Sequence, residues 1–280
     1  MQQLQNPDVK YITIPFIKDG KALDDKNAFH PVCGLTVKAG GSMRFRWAEK
    51  NPLRDELLGQ IARDFGNKTF VPVQLDHTRL VYEVNEAFDT DQKIGDGIIT
   101  RNKNLIPTVT VADCLPVYFY DFVTQAFGIV HSGWKGTGII GDAIRKSCEK
   151  YNSSPENFCV VIGPHIHDCC YIVNEERADY FAKNFTPECV RPLEKGIEVD
   201  WNSGGGKLFR LSLEKANLSL LEKMGVKTEN IYSSPDCTSC SKDGFYGSNR
   251  RETKLAGRPD AFTVQAAFIA WKKARVRLKP

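Results

Sequence analysis

The chain is poor in histidine, with five among 280 residues, and carries a formal charge of only +4. It contains no run approaching the roughly 18 uninterrupted apolar residues that a membrane helix needs, and no internal repeat, low-complexity tract or Pro/Ser-rich linker. The lack of apolar runs argues against a membrane protein. The small net charge, without any dense basic block, argues against a nucleic-acid-binding surface. The opening MQQLQNPDVKYITIPF lacks a charged segment leading into an apolar one, so the expected location is cytoplasmic. Nine cysteines is an odd number. In a chain of this size and compartment they read as core residues, ligands or nucleophiles rather than as disulfides. Cys33, Cys148 and Cys159 sit in apolar or helical contexts and read as small core hydrophobes.

What is present is a succession of short apolar runs with few helical segments between them. Pro52 to Phe65 reads as a helix, with Pro at its start and Gly66 after its end. Strand signals follow at Thr69–Val73, Arg79–Val84, Gly97–Thr100 and Thr108–Ala112. Phe158–Ile162 and Asn230–Ser233 read as further strands, as does Ala261–Trp271, which a helix also fits. Thr137–Tyr151, Glu175–Asn184 and Leu211–Met224 carry helical periodicity, and Asn202–Lys207 reads as a loop tip. Many strands with few crossover helices predict an α+β fold, and no point behaves as a boundary, so residues 1–280 are expected to form a single domain.

The segment from Ala112 to Gly138, ADCLPVYFYDFVTQAFGIVHSGWKGTG, concentrates the chemistry. Its apolar runs, Leu115–Tyr120 and Phe127–Val130, read as two buried strands with Cys114 just before the first and His131 just after the second. A hairpin would bring thiol and imidazole to one end of the sheet, and these are the donors that Zn²⁺ and copper prefer. His77, at the start of HTRLVYEV, supplies a third donor. Three protein ligands with an open position describe a catalytic zinc site. By spacing alone, a core cysteine with two incidental histidines describes these residues equally well. Asp113 reads equally as structural or as a base or orienter of a ligand. Gly133, Gly136 and Gly138 bracket Trp134 and Lys135 ahead of a helix. Such a turn exposes backbone N–H groups, and Lys135 adds charge, so it reads either as an anion site or as a tight strand-to-helix turn.

Elsewhere the signals are weaker. His30 reads as structural or surface. GPHIHDCCY holds His165, His167, Cys169 and Cys170, and an ordinary polar loop is preferred to a second metal site. Cys237 and Cys240 form a CxxC without a second such pair at zinc-ribbon spacing, so they read as incidental loop thiols. Arg250, Arg251 and Arg258 form a local cationic cluster suited to phosphate or carboxylate, or else a solvated face.

Taken in order, ADCLPV, HSGWKGTG, IGPHIHDCCYIV, CTSC, FYGSNRR and AGR resemble the laccase-domain, or multicopper polyphenol oxidoreductase, family (YfiH-like), over about Gly40 to Trp271. GGSMRF is similar to a diverged form of that family's N-terminal Gly-rich motif. The resemblance implies a mixed β-sheet sandwich flanked by helices, with the site at one end. It implies a zinc held by two His and one Cys, carried over here to His77, Cys114 and His131. The family's first His lies in a Q-x-H motif, whereas Gln74 stands one residue too far from His77. GPHIHDCC also departs from the family, which has smaller residues at His165 and His167.

Two activities follow from the resemblance: copper-dependent polyphenol oxidation, and chemistry on purine nucleosides. The latter comprises phosphorolysis of adenosine, inosine, guanosine and methylthioadenosine, together with deamination of adenosine. Five histidines cannot populate a type 1 copper plus a trinuclear cluster, which favours zinc and nucleosides. The expectation is therefore a zinc-dependent purine nucleoside phosphorylase with adenosine deaminase activity. Its catalytic residues would be Cys114 and His131, with phosphate and nucleoside contacts from Arg44, Gly133, Lys135, Gly136 and Arg250. Zinc would make hydroxide available for attack at the purine C6. A Cys114/His131 thiol hydrolase is the expectation from a different class.

Overall fold

The computed structural model describes residues 9–23, 30–194, 196–197 and 206–272. Its strands, in chain order, are β1 (Tyr11–Ile14), β2 (Ile17–Lys18), β3 (Lys21–Ala22), β4 (Pro31–Thr36), β5 (Thr69–Pro72), β6 (Val81–Glu83), β7 (Gly97–Thr100), β8 (Leu105–Val111), β9 (Leu115–Asp121), β10 (Phe127–Ser132), β11 (Phe158–Ile162), β12 (Ile172–Asn174), β13 (Val190–Pro192), β14 (Leu208–Leu211), β15 (Ile231–Ser233) and β16 (Gln265–Trp271). The α-helices are α1 (Pro52–Asp64), α2 (Ile139–Tyr151), α3 (Glu175–Asn184), α4 (Leu213–Met224) and α5 (Asn249–Ala256).

Two mixed sheets dominate. One is five-stranded, in the order β1-β4-β16-β8-β5, and the other six-stranded, in the order β15-β11-β9-β10-β7-β6. They face one another across a core holding Leu35, Val109 and Ile269 from the first sheet and Ile98, Tyr118, Phe127, Ile129 and Val161 from the second. On the outer face of the six-stranded sheet, Val117, Phe119, Val130 and Val160 pack against Ile140 and Ile144 of α2, Phe181 of α3 and Leu221 of α4. On the outer face of the other sheet, Leu57 and Ile61 of α1 pack on Val32, Ile106 and Phe268. The architecture is thus an α+β, helix-flanked mixed β-sandwich. Strands covered on both faces become continuous apolar runs, and β9 and β16 are buried along their whole length. Gly34 provides room for one large core ring, since a Cβ there would lie 2.1 Å from Phe268 Cζ.

Local chemistry sets the helix ends. Asn51, Asn174, Ser212 and Ser248 each accept a hydrogen bond from a first-turn backbone N–H of α1, α3, α4 and α5. Gly225, in the left-handed region at φ 91°, closes α4.

The structure differs from the sequence expectations at defined points. His77 does not open a strand: the chain reaches β6 only at Val81, and His77 sits in a loop at φ 55°. Its backbone N–H is drawn to the Asp96 carboxylate at 3.1 Å instead of to a strand neighbour. His131 lies within β10 rather than after it. The Asn249–Ala256 helix was not anticipated from GSNRR. Ala261–Trp271 is strand only from Gln265. Of Asn202–Lys207, residues 202–205 lie outside the described residues. Among the described residues, no helix is long and apolar enough to cross a membrane.

Candidate metal centre and its pocket

The β9–β10 hairpin aligns antiparallel, with His131 opposite Pro116 and Ser132 opposite Leu115. That register carries Cys114, immediately before β9, to the end of the sheet where His131 stands. Ala112 and Asp113 stand between β8 and Cys114, and Asp113 is at φ 80°. This left-handed bend turns the chain from one sheet to the other, and a non-glycine residue holds such a conformation only when its surroundings over-determine it. They do so here: Asp113 is buried and accepts hydrogen bonds from Thr238 Oγ1 and the Arg250 backbone N–H, both at 2.6 Å. It tethers the N-terminus of α5 to the site. Burial pushes its carboxyl up, against the hydrogen bonds that favour its charged form.

The His77 loop completes the group. Ligand atoms of His77, Cys114 and His131 all lie within 4.8 Å of one another, and the two imidazole rings meet edge to face with centroids 5.0 Å apart. Asp96, unnoticed in the sequence, organises both histidines. Its Oδ1 accepts from His131 Nδ1 at 2.8 Å and from the His77 backbone N–H at 3.1 Å, and its Oδ2 accepts from Thr78 N and Thr78 Oγ1, both at 2.6 Å. With Nδ1 bound to Asp96, His131 presents Nε2 to the centre. Burial works against the Asp96 carboxylate, yet the His131 and Thr78 hydrogen bonds outweigh it and hold its pKa below the ordinary carboxylate range.

Burial also pushes the Cys114 thiol up. His131 and His77 overcome that and bring it down to about 7. Burial disfavours the charged form of His131, but Cys114 and Asp96 raise it to about 10. Both shifts favour a thiolate–imidazolium pair between these two residues above a pH of about 7. The donor set fits zinc chemically: one soft thiolate and two imidazoles, one of them oriented by a buried carboxylate. Gly133 leaves the space. A Cβ on it would lie 3.0 Å from Cys114 Sγ, 3.2 Å from His77 Cδ2 and 3.5 Å from His131 Cε1.

His77, Cys114 and His131 form part of the wall of a cavity of about 580 Å³. Arg44, Arg46, Arg177 and Arg250 line it as well, along with the rings of Phe45, Trp134, Tyr171 and Phe262. Arg177 stacks 3.9 Å from the Trp134 ring centroid and donates to Tyr171 Oη at 3.3 Å. Arg250 lies 5.8 Å from the Tyr171 ring centroid.

Other residues singled out from the sequence fall elsewhere. Lys135 is exposed, with Nζ 5.5 Å from the Trp134 ring centroid, and it does not line the cavity. Gly136 faces the other way, since a Cβ there would meet Thr78 O at 2.9 Å. Gly138 faces Arg79, which pairs with Asp142 of α2. The turn beyond Trp134 is therefore packed behind the His77–Arg79 segment rather than opened toward the cavity. Arg251 donates to Thr238 O, Ser241 Oγ and Tyr246 O and so braces a loop, and Arg258 is exposed. His30 is buried, with Nδ1 2.9 Å from Pro31 O. His165 and His167 lie in the loop between β11 and β12, with their rings 4.4 Å apart and Glu214 within reach. Cys237 and Cys240 do have a partner pair, the adjacent Cys169 and Cys170. Asp96, Phe45, Arg46, Tyr171, Arg177 and Phe262 are cavity or site residues missed in the sequence. Only the isolated acid in GDG, just before a strand, could have drawn attention to one of them.

The fold is a helix-flanked β-sandwich that carries a candidate metal-binding set, two imidazoles and a thiol, at the end of a hairpin. The chain belongs to the multi-copper polyphenol oxidoreductase laccase family, whose model matches residues 55–266. Among curated relatives it is 33% identical over 189 residues to the purine nucleoside phosphorylase YlmD of Bacillus subtilis, covering 67% of this chain and 62% of that protein. It is 32% identical over 179 residues to a purine nucleoside phosphorylase of Borreliella burgdorferi, covering 64% of this chain and 73% of that one. The chain thus spans about three-fifths of the length of the Bacillus subtilis relative (62%). Among solved structures, the YfiH protein of Bacillus licheniformis aligns with a TM-score of 0.72 at 26% identity, over 86% of this chain and 93% of that one.

Proposed function

We propose that this chain is a zinc-dependent purine nucleoside phosphorylase that also deaminates adenosine. The observation that carries the reading is the coincidence, in one cavity, of a His77/Cys114/His131 donor set, four arginines and several aromatic rings. The relatives' names support the phosphorylase part. Adenosine, inosine, guanosine and methylthioadenosine are the proposed nucleosides.

His77, Cys114 and His131 would hold the metal. A bound Zn²⁺ supplies Lewis acidity and makes hydroxide available near neutral pH. The remaining work falls to the chain. Arg250, Arg177 and Arg44 offer guanidinium forks to phosphate and orient it toward the ribose C1′. The Tyr171, Phe262 and Phe45 rings take the face of the purine and exclude water from it. Asp96 keeps the His131 ring in one tautomer and one orientation. Gly133 permits close approach at the donor set. Phosphate binding is assigned to the arginines rather than to Lys135 and Gly136, because the arginines line the cavity and those two residues do not.

Zinc-loaded protein incubated with adenosine and phosphate should yield adenine and ribose 1-phosphate by phosphorolysis, and inosine by deamination. Absence of turnover of every nucleoside by protein shown to hold zinc would overturn the reading. A second reading has one observation in its favour: Cys114, His131 and Asp96 form a thiolate–imidazole–carboxylate chain. A thiol hydrolase of that kind would form a covalent adduct at Cys114 and keep its activity after chelation. The copper-dependent phenol oxidase that the family description suggests would instead consume oxygen with a phenolic substrate.

A further inference from the structure

Away from the cavity donor set, four cysteines converge from two loops. Cys169 and Cys170 lie between β11 and β12, and Cys237 and Cys240 follow β15. All four sulfurs lie within 4.8 Å of one another, with Cys169 Sγ 3.8 Å from Cys170 Sγ and 3.7 Å from Cys240 Sγ. These separations are far beyond a disulfide bond, which is about 2.05 Å. They match the edge of a tetrahedron of sulfurs around Zn²⁺: with Zn–S about 2.3 Å, adjacent ligands stand about 3.8 Å apart.

The backbone holds the two loops in register. His165 and Cys237 form a bridge, and the Thr238 N–H donates to His165 O at 2.9 Å. The His167 N–H donates to Cys237 Sγ at 3.4 Å, the kind of contact that favours a thiolate sulfur. Arg210 Nη1 clamps the other loop by donating to Cys169 O at 2.6 Å. Cys237 is buried, Cys170 is half-buried, and Cys169 and Cys240 are exposed, so an ion could enter from one side. Four protein thiols with no open position describe a closed structural site rather than a catalytic one.

We propose that Cys169, Cys170, Cys237 and Cys240 form a second metal site, a structural tetrathiolate centre for Zn²⁺. It would pin together two loops that shape the cavity. Thr238, inside the CxxC, holds Asp113, the residue before Cys114. Tyr171, directly after Cys170, lines the cavity. Each ligand loses its thiol proton to solvent on binding, so occupancy falls at low pH.

The test is metal stoichiometry and spectroscopy on the full chain, loaded anaerobically under reducing conditions with Zn²⁺, or with Co²⁺ as a probe, and then freed of loose metal. The Co²⁺ form should show the sulfur-to-metal charge-transfer and d–d bands of a tetrahedral four-thiolate site. Those bands should persist in His131→Ala and disappear in Cys240→Ser, and Cys240→Ser should lose one molar equivalent of Zn²⁺ relative to the parent. Because Cys240 is exposed, that variant removes a ligand without opening the core. As a measurement that needs no variant, Zn²⁺ loading should slow alkylation of Cys169 and Cys240, mapped by mass spectrometry, at least tenfold relative to stripped protein. The proposal fails if Cys240→Ser binds as much zinc as the parent. It also fails if Co²⁺ gives no four-thiolate bands, if loading leaves the alkylation rates unchanged, or if the four cysteines are recovered as disulfides under reducing conditions.

Discussion

Asp96 accepts a 2.8 Å hydrogen bond from His131 Nδ1 while lying fully buried beneath it. The same carboxylate also takes the backbone N–H groups of His77 and Thr78. One side chain between two strands therefore sets the ring of one donor and the loop of another.

Asp96→Asn keeps the shape but removes the charge and can present an N–H where His131 Nδ1–H must donate. Metal affinity should fall about 10- to 100-fold, as measured by chelator competition, a range typical of outer-shell partners. Equal affinity in the variant would mean that Asp96 does not orient the ligand.

Gly133→Ala places a methyl group 3.0 Å from Cys114 Sγ and 3.2 Å from His77 Cδ2. Gly133 has no left-handed φ, so backbone strain does not add to the effect. Thermal unfolding of the metal-free variant should show a loss of no more than about 1–3 kcal/mol, the cost of overpacking by one methyl group. Zinc content and nucleoside turnover should drop sharply. A variant that keeps both would show that the donors have room to spare.

The neighbouring His131 and His77 bring the Cys114 thiol from 9.0 down to about 7 despite its burial. Alkylation follows thiolate, so the rate at Cys114 should rise with pH through about 7 and level off above it. In His131→Ala the midpoint should move upward, because burial remains and the largest opposing charge is gone. A midpoint of about 9 in the parent protein would contradict the thiolate–imidazolium pair.

Arg250 reaches the cavity with its side chain, while its backbone N–H, not its guanidinium, holds Asp113. Arg250→Ala should therefore leave α5 docked and raise the KM for phosphate about 10- to 100-fold, the equivalent of losing a charge-assisted hydrogen bond worth about 1.5–3 kcal/mol. Lys135→Ala, which removes an exposed side chain that does not line the cavity, should change it less than about twofold. The reverse ranking in steady-state kinetics would restore the glycine turn as the phosphate site.

Much of the fold was legible because its signals are local. Phe158–Ile162, Gly97–Thr100 and Glu175–Asn184 appear in the structure with the bounds read from apolar period and composition. The β9–β10 hairpin was legible for the same reason, and with it the meeting of Cys114 and His131. The strand expected at His77 failed because a buried carboxylate at Asp96, distant in sequence, captures its backbone. The proximity of Cys237 and Cys240 to Cys169 and Cys170 leaves no ribbon spacing in the sequence, because the second pair of thiols consists of adjacent residues on another loop.

The sequence by itself determined the α+β class, the ends of the Pro52 helix and the pairing of thiol with imidazole. Each of these depends on neighbours a few residues apart and on short-range hydrogen bonding or burial. Only the tertiary structure decided that Asp96 serves His131, that Arg177 and Tyr171 wall the cavity while Lys135 does not, and that four cysteines from two loops share one point. Those juxtapositions depend on strand order and register, which sum over the burial of whole sheets and leave no mark at any one residue.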